Sequence, residues 1–243
     1  MTLSPGMKAP IVDRDFAEKL LWAFDRPLDY SVYRLLPEWW ATAPQRAIDD
    51  YAALLAGLDG ASEFLAERYI SEPFELDDLS ECAPGTLGAA YRSFIIDNKL
   101  DANLLVNFKT THRQQVESGM LDRVPDVLGY MGVRLSQIHD FAHTIAGYSP
   151  DAAGEIRMAA FHMAQLRFPY HSMRIAVTTS HIAFVNPRYM EPLMDAMSIG
   201  WMMGRKAANL HFTRWEDELH TPLEEIRADL GIDRSIDCPL GPN

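Results

Sequence analysis

Four side chains that can bind a divalent metal stand close together in this chain: His139, Asp140 and His143, then, after eleven intervening residues, Glu155. Imidazole nitrogens and carboxylate oxygens are ordinary ligands of zinc, manganese and ferrous iron. On a helix of about 3.6 residues per turn, His139 and His143 lie one above the other, and Asp140 remains a neighbour of His143. Four protein donors would close a tetrahedral zinc site of structural type. If Asp140 or Glu155 stands back, a two-histidine, one-carboxylate set with open positions remains, and the spare acid can handle protons. The residues leave that choice open. Taken one at a time, each histidine would be a capping or packing residue and each acid a solvated one; their joint spacing favours the metal.

The elements around them must bring Glu155 back to the histidines. Gly147 suits the left-handed position just past a helix end. Ser149-Pro150 suits a restart, with serine as N-cap and proline at the first helical position. A short link between helices favours antiparallel neighbours. His143 lies four residues before Gly147 and Glu155 six after Ser149. At about 1.5 Å of rise per residue they sit roughly 6 and 9 Å along their axes, a similar depth in the hairpin.

Helical periodicity extends through most of the chain. Phe16, Leu20 and Phe24 repeat at every fourth position, Ile48, Tyr51 and Leu55 form a stripe ended by Gly57, and Leu87, Tyr91, Phe94 and Ile95 form another after Pro84. Helices are also expected over Ser172–Phe184, weakened by Val177-Thr-Thr, and over Glu191–Leu210. Thr221-Pro-Leu-Glu224 has a capping-box pattern and Gly231 a stop. The expected fold is all-α, eight to ten helices in a single multi-helix domain containing a metal-binding helical hairpin. Residues 1–83 are expected to form an N-terminal helical segment packed on a core spanning 84–243.

A net charge of −12 and only five lysines argue against nucleic acid as a partner and against electrostatic docking to anionic lipid. Two cysteines, Cys82 and Cys238, make no disulfide framework. No apolar run reaches the ~20 residues of a membrane span, and the first residues have no signal core. A cytoplasmic protein is expected, with peripheral contact at the inner face of a membrane as an option. Leu193, Met194, Met197, Trp201, Met202 and Met203, with Gly200 and Gly204, could line a groove for an apolar tail or form plain core. Trp39-Trp40 could anchor at an interface, although one buried and one covering ring is the simpler expectation. His162, two turns beyond Glu155, is a supporting or ligand-facing candidate as well as a core histidine. His171, His181, His211 and His220 have no partner spacing and are expected to be structural. Nucleophile elbows and phosphate loops are absent. An H-D pair on a helix also occurs in metal phosphohydrolases, for which His112 and Asp195 are the available additional residues.

The string His139-Asp140-x-x-His143-x(eleven)-Glu155 resembles the metal motif of the coenzyme Q biosynthesis protein 4 family. Pro84-Gly-Thr-Leu-Gly-Ala-Ala-Tyr91-Arg-Ser-Phe94 is similar to a second segment of that family, and Trp201-Met-Met-Gly204-Arg205, Arg214-Trp215-Glu216 and Leu223 to Ile232 to its C-terminal helices. The resemblance runs from about residue 84 to 232. It departs at Ser136-Gln137-Ile138, at Arg167-Phe168-Pro169-Tyr170, and at His162, where an acid is expected. The resemblance implies a role in ubiquinone biosynthesis on a polyprenylated hydroxybenzoate-type ring, replacing its carboxylate by hydroxyl as a metal-dependent decarboxylase/hydroxylase. It implies a divalent metal, zinc foremost with iron or manganese as alternatives, held by His139, Asp140, His143 and Glu155. Other ubiquinone-pathway proteins and a homo-oligomeric state are the implied partners. The alternative is a prenyl-lipid-binding organiser whose metal is structural.

Overall fold

The computed structural model describes residues 13–26, 32–100 and 106–234. Among these residues the chain is all-helical, with eleven α-helices, several 3₁₀ turns and a single isolated β-bridge between Thr86 and Pro222. The helices are α1 (Arg14–Asp25), α2 (Val32–Thr42), α3 (Gln45–Ala56), α4 (Ala61–Glu67), α5 (Leu87–Asn98), α6 (Phe108–Glu117), α7 (Asp126–Ala146), α8 (Ala152–Leu166), α9 (Pro169–Val185), α10 (Met190–Lys206) and α11 (Leu223–Leu230). The count exceeds the eight to ten expected. Helix α6 buries none of its residues, so it carries no apolar stripe to read. Helix α9 runs straight through the Val177-Thr-Thr stretch, where the Thr179 hydroxyl donates to the Ile175 carbonyl at 2.8 Å within the helix.

Helix α7 is the axis of the molecule. Its 21 residues are buried on most sides, which a one-sided amphipathic pattern does not provide. Its C-terminal half carries Ile138, Phe141, Ala142 and Ile145 into a core with Tyr91, Phe161, Trp215 and Ile226, in which the Tyr91 and Phe141 rings stack with centroids 4.0 Å apart. Its N-terminal half carries Leu128, Tyr130, Met131 and Leu135 into a second core with Trp40, Ile48, Phe64 and Phe168. Helices α2 to α4 thus share a core with α7, and α1 packs on α2 and α9. Trp40 is buried in that core; Trp39 is half-buried against Phe16.

Helix α10 lies tightly on α8. A Cβ at Gly200 would meet the Arg157 carbonyl, and one at Gly204 the Phe161 carbonyl, so these glycines permit backbone contact. The small residues of the methionine-rich stretch therefore serve packing. Its Met194, Trp201 and Met202 point outward and are exposed.

Candidate metal centre

The hairpin forms, with its second cap displaced from expectation. Gly147 ends α7 in the left-handed region at φ 74°. Asp151, rather than Ser149, caps α8, its carboxylate accepting from the Gly154 N–H at 2.8 Å. Asp is as good a cap as Ser, and it stands where a helix beginning at Ala152 can use it. Glu155 consequently lies four residues past its cap, as His143 lies four before Gly147. Both are then roughly 6 Å along their helices, a closer match than the sequence implied. The capping box expected at Thr221 does not form either. Helix α11 starts after Pro222, and the Thr221 hydroxyl donates to the Glu218 carboxylate at 2.6 Å.

His139, His143 and Glu155 converge: one donor atom from each lies within 4.8 Å of the others. Their hydrogen bonds fix the tautomers. His143 Nδ1 is 3.1 Å from the Tyr148 carbonyl, an acceptor only, so Nδ1 bears the proton in the neutral ring and Nε2 keeps its lone pair. His139 Nδ1 is 3.0 Å from Asp140 Oδ1, which commits that ring in the same way. Both lone pairs then face the Glu155 carboxylate, His143 Nε2 at 3.3 Å from Oε1 and His139 Nε2 at 3.7 Å from Oε2. His143 Nε2 is buried and makes no well-directed hydrogen bond.

Lone pairs aimed at one another across such distances need a cation between them, a proton or a metal ion. Two donors each ~2.1 Å from a tetrahedral ion lie about 3.4 Å apart, close to the spacing here. The donor set, the orphaned buried nitrogen and the Nδ1–H groups anchored on oxygen all fit a divalent metal. Asp140 is not part of the converging set; its carboxylate stands behind His139 and orients that ring. Arg174 of α9 reaches in from the other side, its Nη2 2.8 Å from Glu155 Oε2 and its Nη1 3.1 Å from the Tyr170 hydroxyl. Burial acts to raise the Glu155 carboxyl, but His143 and His139 when protonated, together with Arg174, outweigh it and hold it below its ordinary value.

A cavity of about 380 Å³ opens beside the triad, walled by Leu135, His139, Asp140, His162, Phe168 and His171 among others. A second, largely apolar cavity of about 410 Å³ adjoins it, the two sharing Leu36 and Gly132. Three of the cavity region's histidines form their own cluster. His162 Nδ1 is 2.6 Å from His211 Nε2, and the His162 ring stacks on His171 with centroids 4.9 Å apart. Sequence spacing pointed to His162 alone; His171 and His211 had no local signal, because His211 lies 49 residues away from its partner. Arg174 was likewise missed, since only the α8–α9 packing turns it toward Glu155. His112 and Asp195 are absent from the converging set among the described residues.

The family model described as "Coenzyme Q (ubiquinone) biosynthesis protein Coq4" matches residues 63–235. The "Ubiquinone biosynthesis protein COQ4 homolog, mitochondrial" of Nematostella vectensis is 27% identical over 172 residues, 69% of this chain and 76% of that protein. The mitochondrial ubiquinone biosynthesis protein coq4 of Botryotinia fuckeliana is 27% identical over 176 residues, 70% of this chain, which spans 55% of that protein's length. A crystal structure from Nostoc punctiforme PCC 73102, provisionally named a ubiquinone biosynthesis protein, superposes with a TM-score of 0.69 over 90% of this chain and 95% of its own. Sequence identity in that pair is 22%, so the likeness is one of fold.

Proposed function

Because the chain belongs to the coenzyme Q (ubiquinone) biosynthesis protein Coq4 family, we propose that it binds a polyprenylated hydroxybenzoate-type ring beside a divalent metal and serves replacement of the ring carboxylate by hydroxyl. The observation that carries this is the pair of imidazole lone pairs directed at one carboxylate, His139 and His143 at Glu155, with His139 on the wall of a half-open cavity. His139, His143 and Glu155 would hold the ion, zinc foremost with iron or manganese as alternatives. When bound, it supplies Lewis-acid stabilisation of negative charge on the ring and its carboxylate. Asp140 and the Tyr148 carbonyl keep the two imidazoles in the ligating tautomer, and Arg174 steadies Glu155. Leu135 and Phe168 limit water around the ring, and the adjoining apolar cavity suits a prenyl tail. The net change, ring–COOH to ring–OH with loss of carbon dioxide, needs water as the source of the hydroxyl oxygen and a two-electron oxidant, both from outside the chain.

The test is replacement of His143 or Glu155 by Ala, with prenyl-hydroxybenzoate intermediates followed in a ubiquinone-deficient host and metal content measured on the purified protein. Expected are accumulated intermediates and lost metal; full rescue by both variants defeats a metal-dependent role.

A second reading makes the protein a prenyl-lipid-binding organiser of other pathway enzymes, with the metal structural. Exposed Phe184, Val185 and Tyr189 around the α9–α10 connection, and Trp201 and Met202 further along α10, favour it, as a surface for partners or for peripheral membrane contact. Among the described residues no helix is long and apolar enough to cross a membrane. Prenyl lipid that copurifies without turnover would support this reading; turnover on isolated substrate would reject it.

A further inference from the structure

His162, His171 and His211 stand outside the metal triad, yet all three are buried, and the hydrogen bonds of His211 and His162 run in one direction. Asn209 Oδ1 accepts the His211 backbone N–H at 2.9 Å, which identifies that atom as the amide oxygen. His211 Nδ1 lies 2.9 Å from the same oxygen and therefore carries a proton. A neutral imidazole protonated there keeps its lone pair on Nε2, the atom 2.6 Å from His162 Nδ1. His162 Nδ1 must then donate, and the lone pair of His162 is left on Nε2. Burial foremost, with neighbouring His211 and His171, holds His162 well below the ordinary imidazole value, which agrees with a neutral ring.

His162 lines the cavity beside the triad, and so does His171, stacked against it. Neither nitrogen of His171 has a hydrogen-bond partner, although the residue is 6% exposed. A neutral imidazole has one donor and one acceptor, and leaving both unmet in a buried site is unfavourable. The wall thus carries an acceptor on His162 and, since both His171 nitrogens are covered, a donor on His171 that meets a guest only when that ring turns toward the cavity. A carboxylate, which only accepts, cannot satisfy both; a hydroxyl can.

We propose that His162 and His171 bind a hydroxyl carried by an aromatic ring, its O–H donating to His162 Nε2 and its oxygen accepting from His171. The inference rests on the reading that this cavity takes a ring, and it adds the group by which the ring is recognised. His211 and Asn209 are positioning residues, which act by holding His162 in the accepting tautomer. An ether oxygen at the same place cannot donate and leaves His162 unmet.

The test uses the full chain, metal removed by chelation, with 4-fluorophenol and 4-fluoroanisole as probes followed by fluorine NMR. The phenol is expected to bind roughly tenfold more tightly, the worth of one hydrogen bond in a buried site. His162→Phe and His171→Phe should each bring the two affinities to within about twofold of one another. Long-range proton–nitrogen spectra of the unmodified chain should show His162 protonated on Nδ1, and His211→Phe should make that tautomer mixed. Equal affinity for the two probes overturns the proposal and assigns the histidines to water, as does failure of the phenol to bind up to its solubility. His162 protonated on Nε2 overturns it as well. If the phenylalanine variants do not fold, the probe pair and the tautomer measurement on the unmodified chain still decide. Neither probe needs a metal, so loss of the phenol preference with metal retained defeats this proposal alone, and loss of metal affinity with the preference retained defeats only the metal reading.

Discussion

Helix α7 buries two polar groups of opposite kind. At Arg134 the guanidinium, fully inaccessible to solvent, meets the Glu216 carboxylate at 2.6 and 3.0 Å, the Thr213 carbonyl at 3.0 Å and Gln137 at 2.6 Å. Less than three turns further on, His139 and His143 direct lone pairs at Glu155. The first group is largely complementary within itself: charge meets charge, and every guanidinium donor except the Nε–H meets an acceptor. The second is complementary only around something that is positive. The same helix therefore holds one polar cluster whose charges pair and one whose lone pairs converge, and hydrogen-bond polarity separates them along with burial, since His139 and Glu155 keep part of their surface whereas Arg134 keeps none.

The comparison can be broken at either end. Glu216→Ala strands a buried guanidinium and should cost about 3–5 kcal/mol of stability with or without metal, read by denaturant unfolding. His143→Ala should leave the metal-free protein folded but abolish stabilisation by added ion. At an ion concentration about a hundredfold above Kd, that stabilisation is ~2.7 kcal/mol in the unmodified chain, measurable as a shift in Tm. An equal Tm response in the variant would mean the ion binds elsewhere. Asp140→Asn should keep the ligands in place and weaken metal binding about 10–100-fold, because the His139 ring loses its charged anchor; competition with a chelator reads this.

The histidine cluster gives the most graded effect, the smallest when taken per unit of pH. Burial, with Arg134 adding to it, pushes His211 from 6.5 down to about 3. In the folded chain it takes a proton only below that value, whereas in the unfolded chain it does so below its ordinary one. Its contribution to stability is complete above pH 6.5 and is lost as pH falls toward 3. Each unit of acidification across that window should cost about 1.4 kcal/mol for this one group. In His211→Asn the slope of unfolding free energy against pH should fall by that amount; an unchanged slope would assign it to other residues.

What could be read beforehand was what the chain encodes locally. Gly147 needed only its own backbone freedom, and the four-residue step from His139 to His143 needed only helical geometry. Ser149 and Thr221 were misjudged as caps because Asp151 and Pro222 lie within two positions, and local preference does not rank such close competitors. The convergence of Glu155 with the histidines survived that error, since two residues of helix change its depth by only ~3 Å. The withdrawal of Asp140 to the far nitrogen of His139 was not legible, because it depends on which way the ring turns. The Arg134–Glu216 pair spans 82 residues and the His162–His211 pair 49, and no periodicity carries information over such intervals. The family resemblance placed the metal motif but left these pairs unmarked, and at His162 this chain departs from the pattern.

Arg174 has a consequence for what can share the cavity. Among the charged groups around the triad, Asp140 and Glu155 contribute two negative charges and Arg174 one positive, leaving a single negative charge in a low-dielectric pocket. A divalent ion would reverse that sign and leave one positive charge over. Electroneutrality would then select a guest bearing one negative charge and disfavour both its neutral ester and a dianion. Without the guanidinium, ion and pocket would balance by themselves, and a monoanion would gain nothing from that balance by entering.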